Sequence, residues 1–189
     1  MIYTSLQAGI NQLHVSLYLF VKYRDPASVH TLASAAEGIF RGLIKNKNNS
    51  VQQIDDRINH EYLDRIHGTK NSFYTKYLHK HRNFLKHANN NIVDSVDVCD
   101  ELNALMIFRA SLFLKDLSNE IEKLNRPEFL DHFFYWMYFQ EPNLFKINIP
   151  HENLNELRMI SDNRSLFFKE FILHFERLAV YPSNSTVKS

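Results

Sequence analysis

Leu6, Ile10, Leu13, Leu17 and Phe20 recur at intervals of four, three, four and three. That spacing lays one continuous apolar stripe on a helix and predicts a first helix over about residues 2–23. Only four Gly and five Pro occur in 189 residues, too few turn formers for a β-rich chain. Asp25-Pro26 reads as an N-cap followed by proline at the first helical position. The second helix carries Val29, Leu32, Ala33, Ala36, Ile39, Phe40 and Leu43, and its small residues (Ala33, Ser34, Ala35, Ala36, Gly38) would let another helix approach closely.

Ser50 caps an expected third helix, with Val51, Ile54, Ile58 and Ile66 inward and Gly68 as its stop. A fourth helix is expected from about Lys70 to Ala88, and a fifth from about Ser95 to Leu124 with Val98, Leu102, Leu105, Leu112 and Phe113 as its apolar positions. Asp94, Asp97, Asp100 and Glu101 stand at the start of that fifth helix, where the dipole favours acid. A sixth opens at Asn125-Arg126-Pro127 and is dense in aromatics, through Phe133, Phe134, Trp136 and Phe139. The cluster from Phe129 to Phe139 reads mainly as core, but its aromatics point in too many directions for one buried stripe, so part of it is expected to form a dimer surface. After a loop from Pro142 to Pro150, two more helices are expected near Glu152–Ile160 and Ser165–Val180. The expectation is an all-α fold, a single-domain helical bundle of about seven to eight helices over 1–180, with a disordered tail at 181–189.

The formal charge is +1, from 22 Lys and Arg against 21 Asp and Glu, so the overall balance favours neither nucleic acid nor membrane. Cys99 is the single cysteine, which excludes an internal disulfide and thiolate metal clusters and reads as a small core filler. The opening residues lack the basic and apolar regions of a signal peptide, and the longest apolar runs are too short to span a bilayer. A cytoplasmic protein with no membrane partner is expected.

One local segment departs from that neutral background. Residues 67–92 contain no Asp or Glu but hold Lys70, Lys76, Lys80, Arg82 and Lys86 with His67, His79, His81 and His87. Such a stretch lacks the opposite-sign partners usual on a solvated helix face and adds groups that titrate near neutrality. Within it stands Arg82-Asn83-Phe84-Leu85-Lys86-His87. Guanidinium is a fixed fork of donors suited to phosphate, and imidazole is a general acid-base near pH 7.

That Arg-Asn-x-x-x-His motif resembles the signature of the HEPN superfamily, compact all-α domains that often act as metal-independent ribonucleases. The resemblance covers a small part of the chain. It implies that Arg82 grips the scissile phosphate, that Asn83 orients it, and that His87 moves the proton of a ribose 2′-hydroxyl or of the leaving oxygen. Lys76, Lys80, Lys86 and His79 would then contact the RNA. Positions five apart on an ideal helix lie about 140° apart, so Arg82 and His87 either flank one groove or meet across a dimer. The resemblance implies the latter, a homodimer. One HEPN subgroup has Tyr two residues after the histidine; Asn89 stands there in this chain. The stretch from His30 to Glu37, taken with 82–90, also resembles a group of bacterial helical proteins with no assigned activity.

A different reading is a non-catalytic interaction or scaffold protein. Its basic segment would dock an acidic protein partner or RNA backbone, or pack against Asp94, Asp97 or Asp100. No metal and no other cofactor is expected. His79 and His81 lie about 200° apart on a helix, the Glu-x-x-His pairs of a di-iron bundle are missing, and Glu128 with His132 and Glu170 with His174 read as ordinary surface pairs. Glycine-rich phosphate loops and nucleophile elbows are also missing. His30 and Glu37, two turns apart on nearly one face, read either as a packed polar pair or as an acid orienting an imidazole of the basic helix.

Overall fold

The computed structural model describes residues 4–45, 84, 97–120, 129–142, 145 and 155–180. Among them every regular element is helical, as the periodicity requires. Helix α1 is Ser5–Val21 and α2 is Pro26–Lys45. Helix α3 is Asp100–Glu120 and α4 is Phe129–Gln140. Three further segments close the chain: α5 Asn155–Ile160, α6 Arg164–Phe167 and α7 Lys169–Val180. No helix among the described residues is long and apolar enough to cross a membrane. The expected third helix, the expected fourth helix apart from Phe84, and the 181–189 tail lie outside the described residues.

Helix α1 starts at Ser5, just ahead of its apolar stripe, where Thr4 and Gln7 form a capping box. Thr4 Oγ1 accepts from the Gln7 amide at 3.2 Å, and Gln7 Oε1 accepts from the Thr4 amide at 3.0 Å. The helix ends before Tyr23, whose φ of 52° takes the backbone into the left-handed region. There the Lys22 amide reaches back to the Tyr18 carbonyl and the Arg24 amide to that of Leu19. The second helix opens as expected: Pro26 is its first residue, and the Asp25 carboxylate accepts from Ser28. That hydrogen bond, with those from the Ser28 and Ala27 amides, holds the Asp25 carboxyl below its ordinary range.

The stripe of α1 faces inward, with Leu13, Leu17 and Phe20 buried. Helix α2 lies between α1 and α3 and packs along both. The close approach expected from its small residues is real: Ala33, Ser34 and Ala36 are buried, and Ser16 on α1 donates to the Val29 carbonyl at 3.0 Å. Gly9 on α1 matters equally, since a β-carbon there would sit 2.6 Å from Phe40 Cε1.

Helix α3 departs most from its sequence pattern. It begins at Asp100 rather than near Ser95, with 97–99 irregular, and every residue from Leu102 to Leu114 is buried. An apolar stripe covers only part of a helix surface; the rest of α3 buries Asn103, Arg109 and Ser111. Ser111 donates to the Ile107 carbonyl at 2.8 Å and Asn103 Nδ2 to that of Pro26 at 3.1 Å, so these two donors are carried into the core with partners.

The aromatics of α4 serve the core more than a surface. Phe129, Phe133, Trp136 and Tyr138 are buried, and Tyr135 is the exposed aromatic of this helix. Phe20 meets Trp136 edge to face at 5.5 Å between centroids, and Phe108 meets Phe134 in the same way at 5.7 Å. The expected last helix is broken at Phe168. Asn163 caps the short α6 by accepting from the Leu166 amide at 3.0 Å, and α7 resumes at Lys169. Glu176 ties α7 to α1 through Lys22 at 2.9 Å and the Tyr18 hydroxyl at 3.2 Å.

Candidate functional site

Arg82, Asn83 and His87, with Lys76, Lys80, Lys86 and His79, lie outside the described residues. Phe84, inside the Arg82–His87 motif, is described: it is helical and half-buried. Of the acids expected opposite the basic segment, Asp94 lies outside the described residues and Asp100 is engaged by Arg164 at 2.8 Å. Cys99 is exposed in the irregular stretch before α3 and is not a core filler.

The imidazoles of the basic segment lie outside the described residues; among the described residues Glu37 meets guanidinium. Arg109 Nη2 donates to Glu37 Oε1 at 2.9 Å, with both side chains almost wholly buried. Arg41, one turn along α2, brings a second guanidinium to 3.5 Å of the same oxygen, with its own side chain partly in solvent. His30, two turns back on the same helix, is completely buried. Arg109 could have been singled out from sequence. A lone arginine in Ile107-Phe108-Arg109-Ala110 requires a buried carboxylate if that run is core. The partner's identity was not available locally, because Glu37 is 72 positions away.

A second constellation lies where the end of α1, the start of α3, the end of α4 and the turn before α6 converge. Arg164 is buried, its guanidinium carbon 3.8 Å from the Tyr23 ring centroid and 4.1 Å from that of Phe20. Asp100 completes the cradle, so one cation is held by two rings and a carboxylate. Beside it opens a cleft of about 320 Å³, lined by Glu101, Trp136, Gln140, Glu141 and Asp162 along with the cradle residues. Trp136 Nε1 donates to the Ser161 carbonyl at 2.9 Å, fixing the indole in the wall. A smaller cavity of about 220 Å³ shares Phe20, Tyr23 and Asp100 and adds Arg24, Pro26, Val29 and Asn103.

Sequence reasoning missed this cleft. Its residues come from four separate places in the chain, and the one local signal is weak: a tyrosine rather than glycine after an α-helix. Among the described residues no group of three or more His, Cys, Asp or Glu could hold a metal ion. Comparison of the chain with known protein families, with curated proteins and with solved structures finds no match.

Proposed function

We propose that this protein is a HEPN-like, RNA-binding endoribonuclease domain that cleaves phosphodiesters without a metal ion. The acid-free basic segment of 67–92, with Arg82, Asn83 and His87 at its centre, carries this reading. Two observations support it. The described residues form the all-α architecture that the resemblance implies, and Phe84 within the motif is helical. The described cleft, in turn, carries Asp100, Glu101, Glu141 and Asp162. Those carboxylates repel phosphate, so binding of an RNA backbone falls to the basic segment.

In the chemistry this assigns, the Arg82 guanidinium holds the scissile phosphate and neutralises charge that builds on its oxygens. Asn83 orients it. His87 takes the proton of the ribose 2′-hydroxyl, whose oxygen attacks phosphorus; the 5′-oxygen leaves and is protonated, giving a 2′,3′-cyclic phosphate and a 5′-hydroxyl end. Lys76, Lys80, Lys86 and His79 contact the flanking backbone. A homodimer would bring Arg82 of one copy to His87 of the other, and an RNA substrate places the activity in the cytoplasm.

The test is cleavage of single-stranded RNA by the full chain in excess EDTA. Arg82→Ala and His87→Ala are each expected to lower the rate by about 10²-fold or more. Equal cleavage by the double variant and the parent would overturn the assignment. Salt-sensitive RNA binding without turnover, surviving His87→Ala, would make the protein a non-catalytic interaction module.

A further inference from the structure

The cleft beside Arg164 is a separate matter from RNA, because its charge has the wrong sign for phosphate. We propose that it binds a small organic cation, an alkylammonium or guanidinium group. The fold already uses this chemistry once: Tyr23, Phe20 and Asp100 hold the guanidinium of Arg164 at 3.8 Å, 4.1 Å and 2.8 Å. Among the described residues, two carboxylates at the opening stand apart from that cation. Glu101 and Asp162 are exposed, and neither takes part in an ion pair among the described residues. Asp100 is itself 60% exposed while bonded to Arg164, so its outer face remains open to a second donor.

A separate observation calls for an N–H donor in the adjoining cavity. Asn103 lies one turn beyond Asp100 on α3, in the wall of the adjoining cavity, and is completely buried. Its Nδ2 donates to the Pro26 carbonyl, which assigns the carboxamide orientation, yet Oδ1 has no hydrogen-bond donor. A buried acceptor left without a donor is costly, by about 1–3 kcal/mol. An N–H group entering the 220 Å³ cavity would satisfy it. Arg24 lines that cavity from its exposed rim and opposes a cation there, so the charged end belongs toward Asp100 and the larger cleft, where acids predominate. The cleft's 320 Å³ has room for a ligand the size of one basic side chain.

Trp136 is the only tryptophan in the chain and lines the cleft, so its fluorescence reports on occupancy directly. The experiment titrates the full chain with agmatine and, separately, with N-acetyl-arginine methylamide, with succinate as the anionic control. Saturable change with either cation and none with succinate is expected. Agmatine alone binding would identify a free amine as the source, and binding of the capped arginine would identify a basic peptide side chain. Glu101→Gln and Asp162→Asn, both at exposed positions that leave the fold intact, are each expected to weaken binding by about threefold to tenfold, with the effect shrinking at high salt. A flat Trp136 signal with both cations, unchanged affinity in both variants, or equal binding of succinate would overturn the proposal.

Discussion

Tyr23 shows how one residue can hold a backbone conformation that its own chemistry disfavours. At φ 52° it stands where a helix usually ends in glycine, and the residue is 59% exposed, so burial does not keep it there. The left-handed backbone costs about 1 kcal/mol for a residue with a β-carbon. Stacking on the Arg164 guanidinium offsets that by about 1–2 kcal/mol. Tyr23→Ala removes the ring and keeps the strain, so it should lower the free energy of unfolding by about 1–2 kcal/mol. Tyr23→Gly removes both and should be more stable than the alanine variant by about 1 kcal/mol. Urea unfolding of the two variants side by side checks the sign; a glycine variant no more stable than the alanine one would show that strain is not stored there.

At the scale of helices, contact between α1 and α2 depends on a glycine that the apolar stripe does not reveal. Gly9 faces Phe40, which is completely buried, so a β-carbon there must displace the ring. Gly9→Ala is therefore expected to force the helices apart and to destabilise by about 1–3 kcal/mol. Gly42 lies in the last turns of α2, with nothing within 4 Å of a β-carbon placed there. Gly42→Ala should instead stabilise by about 0.5 kcal/mol, the helix-propensity gain alone. Thermal unfolding of both variants separates the two cases. A shift of the same sign for both would mean that packing at Gly9 is looser than its 2.6 Å approach implies.

At the scale of the whole molecule, the described helices surround α3, and a consequential interaction crosses from α2 into it. Glu37 and Arg109 are both nearly inaccessible, so removing one partner leaves a charge with no solvent to compensate it. Glu37→Gln should cost about 3–5 kcal/mol of stability, measured by denaturant unfolding. The paired change Glu37→Leu with Arg109→Met should recover most of that loss, because an apolar pair of similar volume needs no counter-charge. A double variant as unstable as the single one would mean that Arg41 and the polar groups around it depend on the carboxylate as well.

Periodicity, caps and composition determined the all-α class, the inward stripe of α1, the start of α2 at Pro26 and the small-residue face that α1 approaches, because each of these follows from neighbours within a turn or two of chain. The basic segment with Arg82 and His87 is likewise legible as sequence, as a charge pattern. Burial of α3 on all sides was not legible, since how much of a helix is covered depends on how many others surround it. Nor was the break at Phe168, the exposure of Cys99, or the left-handed turn at Tyr23. The carboxylate that receives Arg109 and the rings that receive Arg164 were decided only by tertiary structure, for a physical reason. A buried charge is stable only beside a partner, and that partner is chosen by which helices meet.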